Sequence, residues 1–474
     1  MVFSSILFLL YFLPLFLVLY QFTGKNYKNY FILFASIIFY AWGAPKFVFL
    51  LLSSTVIDFY LVNSMYRSQE SRTKKLLLGL SIGINVGLLL YFKYANFFIE
   101  NVNSLLGNYG YTNIEWTKIA LPIGISFYTF QTLTYSIDVY RGAHAPLKKL
   151  SNYLLYIMSF PQMIAGPIVR FNEIADQIEE RTETTQDKLQ GIIRFSIGLA
   201  KKVLIANVMG QQADIILSEA PESISSLYLW IGMIAYTFQI YFDFSGYSDM
   251  AIGLGKIMGF SFPENFNHPY TSKSISEFWR RWHITLGVWM RDYLYIPLGG
   301  NRVSTNFRLY SNLWLVFLIS GFWHGASWNF IIWGAFHGIF LILDRLFLDK
   351  LFAKTPTIFR VLLTFILVVI GWVFFRIEQF DQAIQVIKQM FNFGNFSLEY
   401  ETILSFNLVF IFAFLFSFIH LSKYGKTLCN WVFFNRSIEL KWYIIMLPTS
   451  FILLCLSIAR ISAQGFNPFI YFRF

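Results

Sequence analysis

Apolar runs of membrane-spanning length recur along this chain, separated by short polar connections. A helix needs about 20 mostly apolar residues to cross the hydrocarbon core, within a range of about 17–25. By that measure spans are predicted at about 3–22, 29–44, 47–66, 76–92, 119–140, 152–169, 190–217, 226–258, 309–348 in two parts, 358–376, 403–421 and 440–460. Some of these runs should be re-entrant, so the expectation is about 11 spans. The first run lacks a positive n-region and a small-x-small cleavage site, and is read as a span, not a cleaved signal. Lys25 and Lys28 follow the first span, Lys46 the second, Arg67, Arg72, Lys74 and Lys75 the third, and Arg141, Lys148 and Lys149 the fifth. The odd-numbered connections are the more basic, which predicts them in the cytoplasm and the N-terminus outside.

Several runs carry polar residues that lipid would not tolerate. One set is Ser126, Tyr128, Gln131, Tyr135 and Asp138; another is Gln239, Asp243, Ser245, Tyr247, Ser248 and Asp249. Such groups face a bundle interior or a wet cavity, and interhelical hydrogen bonds account for many of them. Asp243 and Asp249 are six residues apart and do not point the same way on one helix, so no paired carboxylate site is expected. Phe242-Asp243-Phe244-Ser245-Gly246 is read as a helix break lining a cavity. Pro161-Gln162-Met163-Ile164-Ala165-Gly166-Pro167 predicts a broken or re-entrant helix, because proline removes a backbone donor. The acidic segment from Glu173 to Asp187 predicts a surface helix.

From Phe260 to Tyr310 the chain is too polar to span. Lys273, Arg280, Arg281, Arg291, Arg302 and Arg308 outnumber Glu264, Glu277 and Asp292, which suggests the cytoplasmic side. Phe278, Trp282, Leu286, Trp289 and Tyr293 recur at helical spacing and predict one amphipathic helix at the membrane interface. His283 lies one residue off that stripe. The run Leu309 to Leu348 has 40 residues. As one helix it would reach about 60 Å, twice the hydrocarbon core, so it must break. Gly325-Ala326-Ser327 is the predicted place, with glycine ending one helix and serine capping the next. His324 then stands at a helix end near mid-membrane. His337, 13 residues later, would lie about 220° round a single helix and need not share its site.

Composition agrees with a membrane protein. Residues are 56% hydrophobic, 20% aromatic and 13% charged, against about 25% charged in soluble domains. The net charge of +11 resides in short loops between apolar runs, where it sets orientation and meets anionic lipid. Nucleic-acid binding is therefore excluded. Cys429 and Cys455 have no partnering pattern and form neither a disulfide framework nor a metal site. A buried neutral imidazole at His324 suits a general base, although an interhelical hydrogen bond also accounts for a lone membrane histidine. No H-E-x-x-H motif is present. No carboxylate or third imidazole sits at ligand spacing, so no metal is expected.

Phe278-Trp-Arg-Arg-Trp-His283, Arg291-Asp-Tyr-Leu-Tyr-Ile-Pro-Leu-Gly-Gly-Asn-Arg302 and Gly321-Phe-Trp-His-Gly325 resemble the membrane-bound O-acyltransferase (MBOAT) family, in its alginate O-acetylation (AlgI) branch. Supporting matches run from Ile125 to Gln131, Ile137 to Gly142, Pro161 to Arg170, Asp243 to Met250 and Pro468 to Phe474. The resemblance covers the whole chain. It implies an all-α polytopic membrane protein, a single domain over 1–474: N-terminal spans 1–260, a cytoplasmic-side segment 261–308, a broken catalytic helix pair 309–348 and C-terminal spans 349–474. The helices would surround a transmembrane tunnel in a bacterial cytoplasmic (inner) membrane.

The resemblance also assigns roles. His324 matches the family's invariant histidine and His283 its second histidine. Acetyl-CoA would be the acyl donor, with no bound cofactor. Its phosphates would meet Arg280, Arg281, Arg291 and Arg302, although snorkelling to lipid head groups accounts for the same arginines. The tunnel wall is expected to include Gln131, Asp243, Ser245, Trp323, Trp328 and His337. The acetyl group would end on an extracytoplasmic polysaccharide through a partner acetyltransferase. Three other readings remain open. They are a transporter, D-alanyl transfer to teichoic acid, and acetylation of peptidoglycan or cellulose in place of alginate.

Overall fold

The computed structural model describes residues 2–395, 397, 401–434, 439–463, 465–468 and 470. All regular structure among the described residues is helical, as expected of a polytopic α-helical membrane protein. Among the described residues, five helices are long and apolar enough to cross a membrane by length and composition: Val48–Arg67, Ser71–Asn108, Trp328–Leu351, Thr357–Arg376 and Lys441–Ala463. Phe406–Leu421 and Lys423–Phe433, bent by 96°, make a sixth if taken as one span. The expected count of about 11 is not reached by this measure, because apolar runs do not all become single long helices. The run at 152–169 breaks at Ser159 between Leu150–Met158 and Phe160–Met163. The run at 190–217 is interrupted by a π-helical turn at Lys201–Ala206.

The chain divides into two compact units, Met1–Lys188 with Gly255–Phe262, and Leu189–Leu254 with Pro263–Phe474. Polar residues on the spans of the first unit bond to one another. Asp58 accepts hydrogen bonds from Ser81 at 2.5 Å, Asn85 at 3.1 Å and Tyr153 at 2.5 Å. Lys93 reaches Ser126 at 3.3 Å. The predicted break around Pro161 is present, and its loosened backbone is satisfied inside the protein. Phe160 N–H donates to Ser36 Oγ at 3.1 Å, and Gln162 donates to the Tyr156 carbonyl at 2.7 Å.

In the second unit the helix Ser226–Ile257 runs without interruption. The break expected at Phe242–Gly246 does not occur. Its glycine serves close packing instead. A Cβ at Gly246 would lie 2.6 Å from the Gly198 carbonyl oxygen, and one at Gly253 would lie 2.6 Å from that of Gly191. Residues 191–198 therefore pack antiparallel to residues 246–253 along a glycine seam. The acids flank that seam. Asp249 meets Arg194 and Lys201, both at 2.6 Å, and Asp243 meets Lys202 at 3.1 Å. Lying three residues either side of Gly246, the two acids stand about 120° apart and straddle the contact, each meeting basic residues of the facing segment.

The single amphipathic helix expected over 278–293 is two short helices, Ile275–Arg281 and Ile284–Met290. They break at Trp282-His283, where His283 takes φ +44°. The aromatic stripe is core, not an interfacial face: Phe278, Trp282, Leu286 and Trp289 are buried. Trp282 packs on Trp372 at 5.0 Å, and Phe278 on Tyr270 at 6.1 Å.

The 40-residue run folds as a hairpin. Its first arm is Asn306–His324 and its second Trp328–Leu343, with Gly325 extended between them. Ser327 Oγ accepts from Asn329 N–H at 3.2 Å and caps the second arm. Gly321 and Gly334 let the arms touch; their Cα atoms would each lie within 3.2 Å of a Cβ added to the other.

The seam gives a test with an internal control. Gly246→Ala should cost about 1–3 kcal/mol of overpacking and lower the thermal midpoint of the detergent-purified protein. Gly87→Ala, with nothing within 4 Å of its added Cβ, should not. Equal midpoints for the two variants would contradict the close-packed seam.

Candidate active site

His324 is the last residue of the first hairpin arm and is buried. Its imidazole packs edge-on against Trp333 at 5.1 Å and Phe375 at 5.3 Å, and beside Trp323 at 4.8 Å. A small void of about 10 Å³ adjoins it, walled by Ile240, Phe244, Trp282, Trp333, Trp372, Phe375 and Ile470.

A much larger cavity of about 730 Å³ lies in the same unit. His283, Arg280, Arg291 and Arg345 line it, with Trp279, Tyr295 and Ser320. Ser320 is one helical turn before His324 on the same arm. The cavity volume falls within the roughly 300–1,000 Å³ of small-molecule sites.

His283 is held in one tautomer. Asn265 Oδ1 lies 3.0 Å from His283 Nδ1 and 3.3 Å from the Thr285 N–H, which can only donate. Asn265 Nδ2 donates to Ser248 Oγ at 3.1 Å. Oδ1 is therefore the acceptor, Nδ1 carries the proton, and the lone pair sits on Nε2. Nε2 is buried with no hydrogen-bond partner among the described residues. Burial lowers the His283 pKa from the ordinary imidazole range to about 3, so the ring is neutral at physiological pH. Its ring stands 4.7 Å from Phe244 and 6.4 Å from Trp323. Trp323 thus neighbours both histidines.

The structure brings some of the expected residues together and disperses others. Arg280, Arg291 and His283 share the large cavity. Arg281 does not line it; Arg281 pairs with Glu277 at 2.6 Å. Arg302 is exposed and outside it. Trp323 is buried and Trp328 is 58% exposed, and neither lines either void. His337 is buried against Trp279 at 5.0 Å and Trp333 at 5.1 Å, also outside both. It nevertheless shares Trp333 with His324, because the two arms fold back on each other. Asp243 is engaged with Lys202, and Ser245 lines a separate small pocket beside Arg194 and Asp249. Gln131 belongs to the first unit and is buried there.

Two site residues escaped the sequence reading. Asn265 lies in a loop with no motif to mark it. Arg345 did leave a signal: Asp344 and Arg345 are the only Asp, Glu, Lys or Arg residues in the apolar run 309–348.

Residues 147–379 match the profile of MBOAT, the membrane-bound O-acyltransferase family. Over the full length of both chains the protein is 42% identical to the probable alginate O-acetylase AlgI of Pseudomonas putida. It is 38% identical to the peptidoglycan O-acetyltransferase of Helicobacter pylori, across 84% of this chain and 81% of that one. To the teichoic acid D-alanyltransferase of Streptococcus thermophilus it is 32% identical across 48% of this chain and 58% of that one.

Removing the Asn265 side chain would leave the His283 N–H, the Thr285 hydroxyl and Ser248 to find new partners. Asn265→Ala should therefore destabilise the protein by about 1–3 kcal/mol, read as a lowered thermal midpoint. An unchanged midpoint would mean that Asn265 does not fix the imidazole.

Proposed function

The chain belongs to the membrane-bound O-acyltransferase family, and on that footing we propose that it takes acetyl from cytoplasmic acetyl-CoA for O-acetylation of extracytoplasmic alginate. It is a multi-pass membrane protein and an O-acyltransferase. The acetyl group would pass across the inner membrane to a partner acetyltransferase on the outer face, with the N-terminus on that side. The observation that carries the reading is one cavity, lined by three arginines and His283, that reaches within a helical turn of His324. Full-length identity to an alginate O-acetylase favours alginate over teichoic acid, since the D-alanyltransferase matches about half of this chain.

In this mechanism Arg280, Arg291 and Arg345 meet the phosphates of acetyl-CoA, where charge-assisted hydrogen bonds are strongest. Trp279 and Tyr295 line the same cavity and offer rings for the adenine to stack on. The His283 Nε2 lone pair accepts an N–H of the pantetheine arm and orients the thioester. His324 takes the proton of the accepting hydroxyl as its oxygen attacks the thioester carbonyl. The carbon–sulfur bond then breaks, and the proton passes from His324 to the departing thiolate. The C-terminal end of the helix favours the positive charge that His324 carries between these steps.

His324→Ala, at matched protein level, should reduce polymer acetylation by about 10²–10⁴-fold, the usual contribution of a general base. Undiminished acetylation would remove His324 from the chemistry. Arg280→Gln with Arg291→Gln should raise KM for acetyl-CoA by about tenfold or more, since hydrogen bonds to charged groups contribute about 1.5–3 kcal/mol each. If KM is unmoved, the large cavity does not hold the donor's phosphates.

A further inference from the structure

We propose that Ile470 limits the length of the acyl group this chain transfers, and that Asp243, Lys202 and Asn207 hold it in place to do so. The inference rests on His324 as the base.

The void beside His324 measures about 10 Å³, room for a single water-sized body. The methyl of an acetyl group is of that order, and a longer chain is not. Most of the wall cannot yield. Trp372 packs on Trp282 at 5.0 Å and on Phe375 at 5.2 Å, and Trp333 stacks on Trp372 at 6.0 Å. Each of these rings also serves the surrounding core.

Ile470 belongs to the same core but is held in a different way. It comes from the stretch that follows the helix Leu440–Ala463 and is held by its main chain. Its backbone N–H donates to Asp243 Oδ2 at 2.9 Å. Asp243 is ion-paired with Lys202 at 3.1 Å, both almost wholly buried. Lys202 also donates to the Pro468 carbonyl and, at 2.8 Å, to Asn207 Oδ1. Asn207 Nδ2 reaches Asn467 Oδ1 at 3.2 Å. A buried ion pair is tolerable only when its remaining lone pairs and protons are used. Here two backbone groups of the terminal segment use them. The clamp grips Pro468 and Ile470 by backbone atoms, so it would hold many sequences equally well. The side chain at 470 is then what sets the depth of the void. Asp243, expected to line a passage, acts instead by fixing a residue that lines one.

A hydrophobic pocket discriminates roughly 10–200-fold per methylene. The test compares hydrolytic release of free CoA thiol from acetyl-, propionyl- and butyryl-CoA by the purified full-length protein, with water in place of the accepting hydroxyl. The wild type should prefer acetyl. Ile470→Ala, which removes three carbons, should raise the propionyl-to-acetyl ratio of kcat/KM at least about tenfold. Ile470→Val, a one-carbon change that preserves the fold, should shift the ratio the same way by less. Asp243→Asn, which weakens the clamp, should also raise it. An unmoved ratio in both Ile470 variants, with His324→Ala inactive on all three donors, overturns the role of Ile470. Acetyl release that survives in His324→Ala overturns the underlying assignment of the base.

Discussion

A helix end in apolar surroundings leaves backbone groups that water cannot satisfy, so it forms only where the chain supplies partners. That constraint sets the site. The run Leu309–Leu348 is too long for one span, and it can stop only where a stop can be capped. Gly325 takes the extended conformation, and Ser327 supplies the side-chain oxygen for the arm that follows. His324 is the residue left at the end. Glycines at 321 and 334 then bring the arms together. The turn is thereby packed against Trp333 and Phe375 and not left at the side of a continuous rod. Move the break by two residues and the imidazole leaves the void.

The same economy of partners governs the helices behind the site. Gly191, Gly198, Gly246 and Gly253 let two backbones approach closely, and that approach leaves no room for water between them. The acids on the seam must then meet cations from the protein itself, as Asp243 meets Lys202 and Asp249 meets Arg194 and Lys201. Their charges cost desolvation, which hydrogen bonds to further groups offset. For Asp243 those further groups belong to the terminal segment. Packing far from His324 is in this way tied to the wall of its void.

Much of this was legible in the sequence, for reasons that differ by residue. The hairpin break could be read because length, Gly325 and Ser327 all pointed to one place. The membrane class followed from scarce charge and repeated apolar runs. The two histidines and the paired arginines stood out through motifs. Gly246 misled because glycine in a helix marks a break or a close contact, and only the neighbour at Gly198 decides which. The aromatic stripe misled because helical spacing persists across the kink at His283, where a left-handed φ turns the second helix away. Asn265 was invisible: its importance lies in which oxygen meets Nδ1, and no spacing rule encodes that. The relation of His324 to His337 was also hidden, since an angle round one helix means nothing once the helix is folded in two.

Trp323 neighbours both imidazoles, 4.8 Å from His324 and 6.4 Å from His283 between ring centres. An indole N–H donates and has no lone pair to accept with. A proton cannot be handed from one histidine to the other through it. Asn265 reinforces the separation by keeping the His283 proton on Nδ1, so that Nε2 is available only to receive a hydrogen bond. A neutral imidazole with its lone pair on Nε2 is suited to accept an N–H from a neutral ligand. The two histidines therefore divide the work of the proposed reaction, His283 recognising the donor in the large cavity and His324 handling the proton a turn beyond it. On that proposal, the buried Asn265 serves to orient an imidazole that binds the donor and takes no proton from the acceptor.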